Sequence, residues 1–145
     1  MSTHRTASTR RVTVGDELAP FTRETGFANW NRYAAVNSEF MPIHMDDEAA
    51  RTAGHPTAIG MGNLLWSYLH NLLRGWLATE GRIVRIEGQF RGLNTKGMTV
   101  TARGVVTAVE RAADAHTATL DVWIEDEQGN KLLPGKAVVR LDSRE

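Results

Sequence analysis

The sequence predicts an α+β fold in which one long apolar helix lies against an antiparallel sheet. Three observations predict it. Leu65, Leu69, Leu72 and Trp76 step by four, three and four, the period of a helix face. From Arg82 onward the period becomes two, with Val84, Ile86, Gly88 and Phe90 on one face and Arg85, Glu87, Gln89 and Arg91 on the other. The strand-like segments that follow are joined by links too short for a parallel crossover, which needs a dozen or more residues.

In chain order, residues 12–16 read as a short extended piece ending in a turn. Residues 18–25 read as a first strand, kept irregular or at an edge by Pro20. Phe27, Trp30 and Tyr33-Ala34 recur at spacings of three and four, which predicts a short helix over 27–36. Residues 37–44 show no period and contain Pro42, which biases Met41 towards an extended backbone, so this segment is expected to be a loop. Asp46, Asp47 and Glu48 suit the positive start of a helix beginning near Asp47, and Gly54 suits its end. The long helix is expected over 59–78, with Leu64, Tyr68 and Leu73 widening its apolar stripe until more than one side is covered. Further strands are expected at 98–111, 116–125 and 131–142, separated by turn signals at 94–97, 112–115 and 128–130. Sheet edges left open by one such layer predict a dimer.

Composition narrows the function classes. The 145 residues include 17 Lys+Arg, 17 Asp+Glu and no Cys. Disulfide scaffolds and thiolate-based metal or nucleophile sites are thereby excluded. Zero formal net charge argues against nonspecific attraction to nucleic acid or anionic lipid. The longest apolar stretch, 59–77, carries Asn63, His70, Asn71 and Arg74 and does not read as a membrane span. Arg5, Arg10 and Arg11 have no apolar run behind them. Residues 1–11 are therefore expected to be a flexible tail before one domain, 12–145, of a cytoplasmic protein.

One stretch could carry chemistry. Glu39 and His44 stand five residues apart around Pro42, and Pro56 and Gly60 follow. A histidine near neutrality can take or give a proton while a carboxylate orients the same water. Gly60, near the expected start of the long helix, could offer an N–H to charge developing on a carbonyl oxygen, or could simply allow close packing. On residues alone, Glu39 could equally be a solvated loop carboxylate, His44 a ring satisfied by a backbone carbonyl, and Asp46 an N-cap. His55 and His70 fit no familiar ligand spacing with His44, so no metal is assigned. Trp30, Tyr33, Trp66 and Trp76 read mostly as core, with room for one or two to line a tunnel. Gly60-Met61-Gly62 lacks the strand that a dinucleotide fingerprint needs before it.

The segment Asn37-Ser38-Glu39-Phe40-Met41-Pro42-Ile43-His44, with Asp46 after it, resembles the hydratase 2 motif of MaoC-like (R)-specific enoyl-thioester hydratases and dehydratases. The pattern there is a small residue, Gly, Asp, any residue, Asn, Pro, an aliphatic residue and His, then Asp two positions later. The family's downstream Pro and His-Gly-Met are matched by Pro56 and Ile59-Gly60-Met61. Phe90-Arg91-Gly92 and the turn Lys96-Gly97-Met98-Thr99 also resemble family features. Four positions depart from the pattern: Glu39 stands for Asp, Met41 for Asn, Ser38 for Gly and Ile59 for His.

The resemblance implies a hot-dog fold, an antiparallel sheet wrapped around one central helix. It implies reversible hydration of trans-2-enoyl thioesters of CoA or acyl-carrier protein to 3-hydroxyacyl thioesters. Glu39 and His44 would activate one water, and the Gly60 N–H would polarise the thioester carbonyl. No cofactor is implied. The expected partners are the thioester substrate and a second hot-dog subunit, identical or different. A partly catalytic subunit paired with another dehydratase chain is the alternative, with an acyl thioesterase a weaker one.

Overall fold

In the computed structural model, which describes residues 10–142, the leucine-rich helix is embraced by a five-stranded sheet. The elements in order are β1 (Phe21–Glu24), α1 (Phe27–Asn37), α2 (Pro42–Met45), α3 (Asp47–Thr52), α4 (Gly62–Leu77), β2 (Gly81–Gly88), β3 (Thr99–Arg111), β4 (Ala115–Glu125) and β5 (Lys131–Asp142). Helix α4 buries Leu65, Leu69, Leu72, Leu73 and Leu77 almost completely, and Leu64 and Tyr68 are buried beside them. A helix apolar on more than one side has to be covered on more than one side. The sheet supplies that cover through Val100, Ala102 and Val106 of β3, Leu120, Val122 and Ile124 of β4, and Leu133, Ala137 and Val139 of β5.

All ladders are antiparallel, in the order β1-β3-β4-β5-β2. The neighbours suggested by chain order hold for β3–β4 and β4–β5. They fail for β2, which pairs with β5 at the far edge and not with β3. Residues 89–98 are therefore a crossing segment rather than a hairpin turn, and they run past the start of α4. The alternation expected in β2 also slips. A bulge between Ile83 and Arg85 turns Ile83 and Ile86 to the core and leaves Val84 exposed, because one extra residue reverses the faces beyond it. Pro20 limits β1 to Phe21–Glu24, and the chain before it meets β3 through a Glu17–Val105 bridge and backbone bonds from Gly15 N–H to the Val106 carbonyl, Val106 N–H to the Asp16 carbonyl and Leu18 N–H to the Gly104 carbonyl.

Three local expectations change. The loop expected over 37–44 contains helix α2, since Pro42 occupies its first position, where a missing N–H costs nothing. Helix α4 starts at Gly62 rather than 59. Residues 58–60 instead form an extended strap against the crossing segment, with an Ile59–Thr95 bridge and bonds from Gly60 N–H to the Asn94 carbonyl and from Lys96 N–H to the Ala58 carbonyl. Of the expected tail, residues 1–9 lie outside the described residues, but Arg10 is packed. Its guanidinium lies 4.5 Å from the Trp76 ring centroid and bonds the Trp76 carbonyl. Asp46 is an N-cap as the acidic run suggested, accepting the Ala49 N–H at 2.7 Å. Among the described residues, no helix is long and apolar enough to cross a membrane.

Candidate active site

Glu39 follows α1 directly, and His44 lies in the single turn of α2. Ser38, whose φ of 56° and ψ of 37° form a left-handed C-cap, ends α1 just before Glu39, and between Glu39 and His44 Met41 adopts the extended backbone that precedes a proline. That extended step into the proline-led turn of α2 leaves the two side chains close together. His44 Nε2 lies 3.9 Å from Glu39 Oε1, too far for a direct hydrogen bond and close enough for one water to contact both. The His44 side chain is nearly buried and that of Glu39 is about a quarter exposed, so the pair sits at the edge of solvent.

The other imidazole nitrogen is committed. His44 Nδ1 lies 2.7 Å from the Ile59 carbonyl, which can only accept. The proton of the neutral ring is therefore assigned to Nδ1, leaving the Nε2 lone pair facing Glu39. Ile59 is bound in turn, its N–H donating to the Ile43 carbonyl at 3.1 Å. One nitrogen of His44 is thus satisfied by a backbone carbonyl and the other faces the carboxylate.

Gly60 departs from its expected role. Its N–H donates to the Asn94 carbonyl at 2.7 Å, so the amide assigned by resemblance to a substrate carbonyl is already engaged. What the position requires is the absence of a side chain. A Cβ there would lie 2.8 Å from Asn94 Nδ2 and 2.9 Å from Trp30 Nε1. Gly60 is thus a point of close approach, the packing alternative that its sequence context left open.

A groove of about 700 Å³ runs between α1 and α4, lined by Tyr33, Val36 and Asn37 on one side, Leu64 and Tyr68 on the other, and Arg32 at its rim. Burial, with the neighbouring Glu39 carboxylate adding to it, holds the Tyr33 hydroxyl above its ordinary pKa. Burial likewise raises Tyr68, whose hydroxyl accepts a bond from Asn29 Nδ2 at 3.3 Å. Tyr33 lines this groove and has Glu39 as an electrostatic neighbour, while Glu39 and His44 themselves lie outside the groove's lining. Of the aromatic residues named as core or tunnel candidates, Tyr33 lines this groove, while Trp30 is wholly buried.

On the far side of the strap, Asp47 accepts the Ala58 N–H at 2.9 Å and pairs with Lys96. The Lys96 hydrogen bond, followed by that from Ala58, holds its carboxyl below the ordinary value. Among the described residues no group of three or more His, Cys, Asp or Glu could hold a metal ion.

The model of the MaoC like domain matches residues 5–127. The chain belongs to the MaoC-like domain family. A curated relative, the (R)-specific enoyl-CoA hydratase of Aeromonas caviae, is 32% identical over 135 residues, covering 92% of this chain and 98% of that protein. The solved A. caviae (R)-hydratase involved in PHA biosynthesis superposes with a TM-score of 0.80 at 30% identity, over 90% of this chain and 97% of that one. The unliganded R-hydratase PhaJ1 of Pseudomonas aeruginosa gives 0.78 at 16% identity, covering 92% and 88%, and shares the fold. The wrapped sheet and central helix are thus the hot-dog fold of MaoC-like hydratases.

Within that MaoC-like frame the departures acquire local reasons. Ser38 stands where the family pattern has Gly, at a left-handed φ that glycine adopts without strain. Met41 stands where the pattern has Asn, as an N-cap of α2 with no side-chain cap bond. Ile59 stands where it has His and contributes its backbone carbonyl to His44. Asn94 and Thr25 escape sequence reasoning, since an Asn in a segment rich in turn residues reads as a turn.

Proposed function

We propose that the protein hydrates trans-2-enoyl thioesters reversibly to (R)-3-hydroxyacyl thioesters. The observation that carries this reading is the Glu39–His44 pair, its gap suited to one water and its imidazole held with Nε2 free. The A. caviae relative, named an (R)-specific enoyl-CoA hydratase, supports the same chemistry.

In the hydration direction, water bridging Glu39 and Nε2 loses a proton to Nε2 as its oxygen bonds to C3. The C2=C3 electron pair moves towards the thioester carbonyl, and the resulting enolate collects at C2 the proton returned by the pair. Water is consumed, one C–O and one C–H bond form, and both side chains return to their starting states. Dehydration is the reverse. Positioned acid–base groups of this kind contribute about 10²–10⁴-fold. The groove beside Tyr33 is the place for the acyl chain, and Gly60 serves by holding the strap rather than by donating to substrate. CoA and acyl-carrier-protein thioesters both belong to the proposed substrate class, and a cytoplasmic setting goes with it.

A second hot-dog subunit, identical or different, completes the reading. Exposed Val84 on edge strand β2, with Phe90 and Leu93 just beyond it, supports that pairing. Mixing the purified protein with crotonyl-CoA and longer trans-2-enoyl-CoAs tests the activity. Loss of the conjugated absorbance with formation of 3-hydroxyacyl-CoA is expected. Inertness across chain lengths, alone and with partner subunits, would remove the proposal, and release of free thiol would point to a thioesterase.

A further inference from the structure

We infer that Asn94 is a positioning residue for His44, acting through the 58–60 strap. The chain of contacts is short. His44 Nδ1 rests on the Ile59 carbonyl at 2.7 Å, the next residue donates its N–H to the Asn94 carbonyl at 2.7 Å, and Ile59 itself bridges to Thr95. The acceptor that fixes the ring is therefore held in place by the backbone of residues 94 and 95.

That backbone belongs to the crossing segment between β2 and β3, outside the sheet ladders, so something other than a strand neighbour must hold it. The Asn94 side chain does so. It is 2% exposed, and its Oδ1 accepts the Thr25 hydroxyl at 2.6 Å. Thr25, also buried, is tied to the start of β3 by its N–H to the Met98 carbonyl at 2.8 Å and to the turn by the Gly97 N–H to its own carbonyl at 2.8 Å. Asn94 Nδ2 and Trp30 Nε1 are both buried without a hydrogen-bond partner, and both crowd the space where Gly60 has no Cβ. The strap can dock against Asn94 only because residue 60 is glycine, and two polar donors are left unsatisfied where it does. What that contact maintains is the position of the Ile59 carbonyl, hence the ring orientation and tautomer of His44.

A positional error of about 1 Å at a catalytic group can cost about 100-fold in rate. Asn94→Ala removes the tether, and Thr25→Val removes the hydroxyl that anchors it while leaving Asn94 in place. The kinetic consequence rests on the hydratase reading. The test therefore begins with a readout that does not need activity: the imidazole ¹⁵N shifts of His44 in the full-length protein. In the wild type the neutral ring should be the Nδ1–H form. In Asn94→Ala, and to a smaller degree in Thr25→Val, the Nε2–H form should appear in exchange with it. Turnover of crotonyl-CoA by the same samples should fall in kcat by at least tenfold with KM changed less than twofold. If Asn94→Ala does not fold, Thr25→Val decides. Retention of the pure Nδ1–H form in the folded variants overturns the inference. A tautomer change in a protein whose wild type hydrates no enoyl thioester would retire the hydratase reading and leave the positioning role standing.

Discussion

His44 Nε2 and Glu39 Oε1 stand 3.9 Å apart, with the opposite nitrogen of the same ring fixed 2.7 Å from the Ile59 carbonyl. A base, an acid and a gap that one water can fill are what the proposed addition of water to an activated double bond asks of the pair. The distance is a property of the extended step at Met41 and the proline-led α2 that separate the two residues, and the length of the carboxylate matters to it.

Shortening that carboxylate is the first test. Glu39→Asp restores the residue of the family pattern but withdraws the carboxylate by roughly one C–C bond, about 1.5 Å. The pair then opens past the spacing that one water bridges at a tetrahedral angle, and kcat for enoyl-CoA hydration should fall about 100-fold with the fold intact by circular dichroism. A rate equal to or above wild type would show that the backbone here is set for the shorter side chain.

Gly60→Ala places a methyl 2.8 Å from Asn94 Nδ2 and 2.9 Å from Trp30 Nε1, and Trp30 is fully buried and cannot retreat. Overpacking of this kind should destabilise the protein by about 1–3 kcal/mol in urea unfolding. Because the strap must shift, activity at temperatures where the variant is folded should fall as well. Full activity in the folded variant would separate the strap from the chemistry.

Two departures from the family pattern should be stabilised by reverting them. Ser38→Gly relieves a left-handed backbone and should add about 1 kcal/mol. Met41→Asn supplies the cap that α2 lacks, with an expected gain also of about 1 kcal/mol. Denaturant midpoints read both, and a loss at either position would show that its present residue makes a contact that outweighs the backbone term.

Stability should depend on pH through Asp47. Its carboxyl is held below the ordinary 3.8 first by the Lys96 hydrogen bond and next by the Ala58 N–H. A depressed folded-state pKa means that the unfolded chain takes up the proton first as pH falls. The contribution is fully present above the unfolded value and is lost as pH drops through it towards the folded one. Unfolding midpoints of the wild type should therefore fall below about pH 4 more steeply than those of Asp47→Asn. Parallel curves would contradict the assignment.

Much of this was legible in the sequence, and the reasons differ by element. Leu65, Leu69, Leu72 and Trp76 announce α4 because helix burial imposes its own spacing, and the Glu39–Pro42–His44 register survives because proline fixes the bend. The slip at Val84 was not legible, since a bulge adds one residue without altering composition. Nor was the β2–β5 pairing, which depends on a ten-residue crossing that resembles a turn. Gly60 lost its expected N–H because the acceptor, the Asn94 carbonyl, is contributed from 34 positions downstream, and backbone partners leave no trace in residue identity.

The most direct test of the pair is the rate of trans-2-enoyl-CoA hydration by the wild type, Glu39→Gln and His44→Ala, each confirmed folded. Wild type should convert substrate to the (R)-3-hydroxyacyl thioester, and each variant should lose about 10²–10⁴-fold in kcat. Wild-type rates in either folded variant would contradict a water shared between Glu39 and His44.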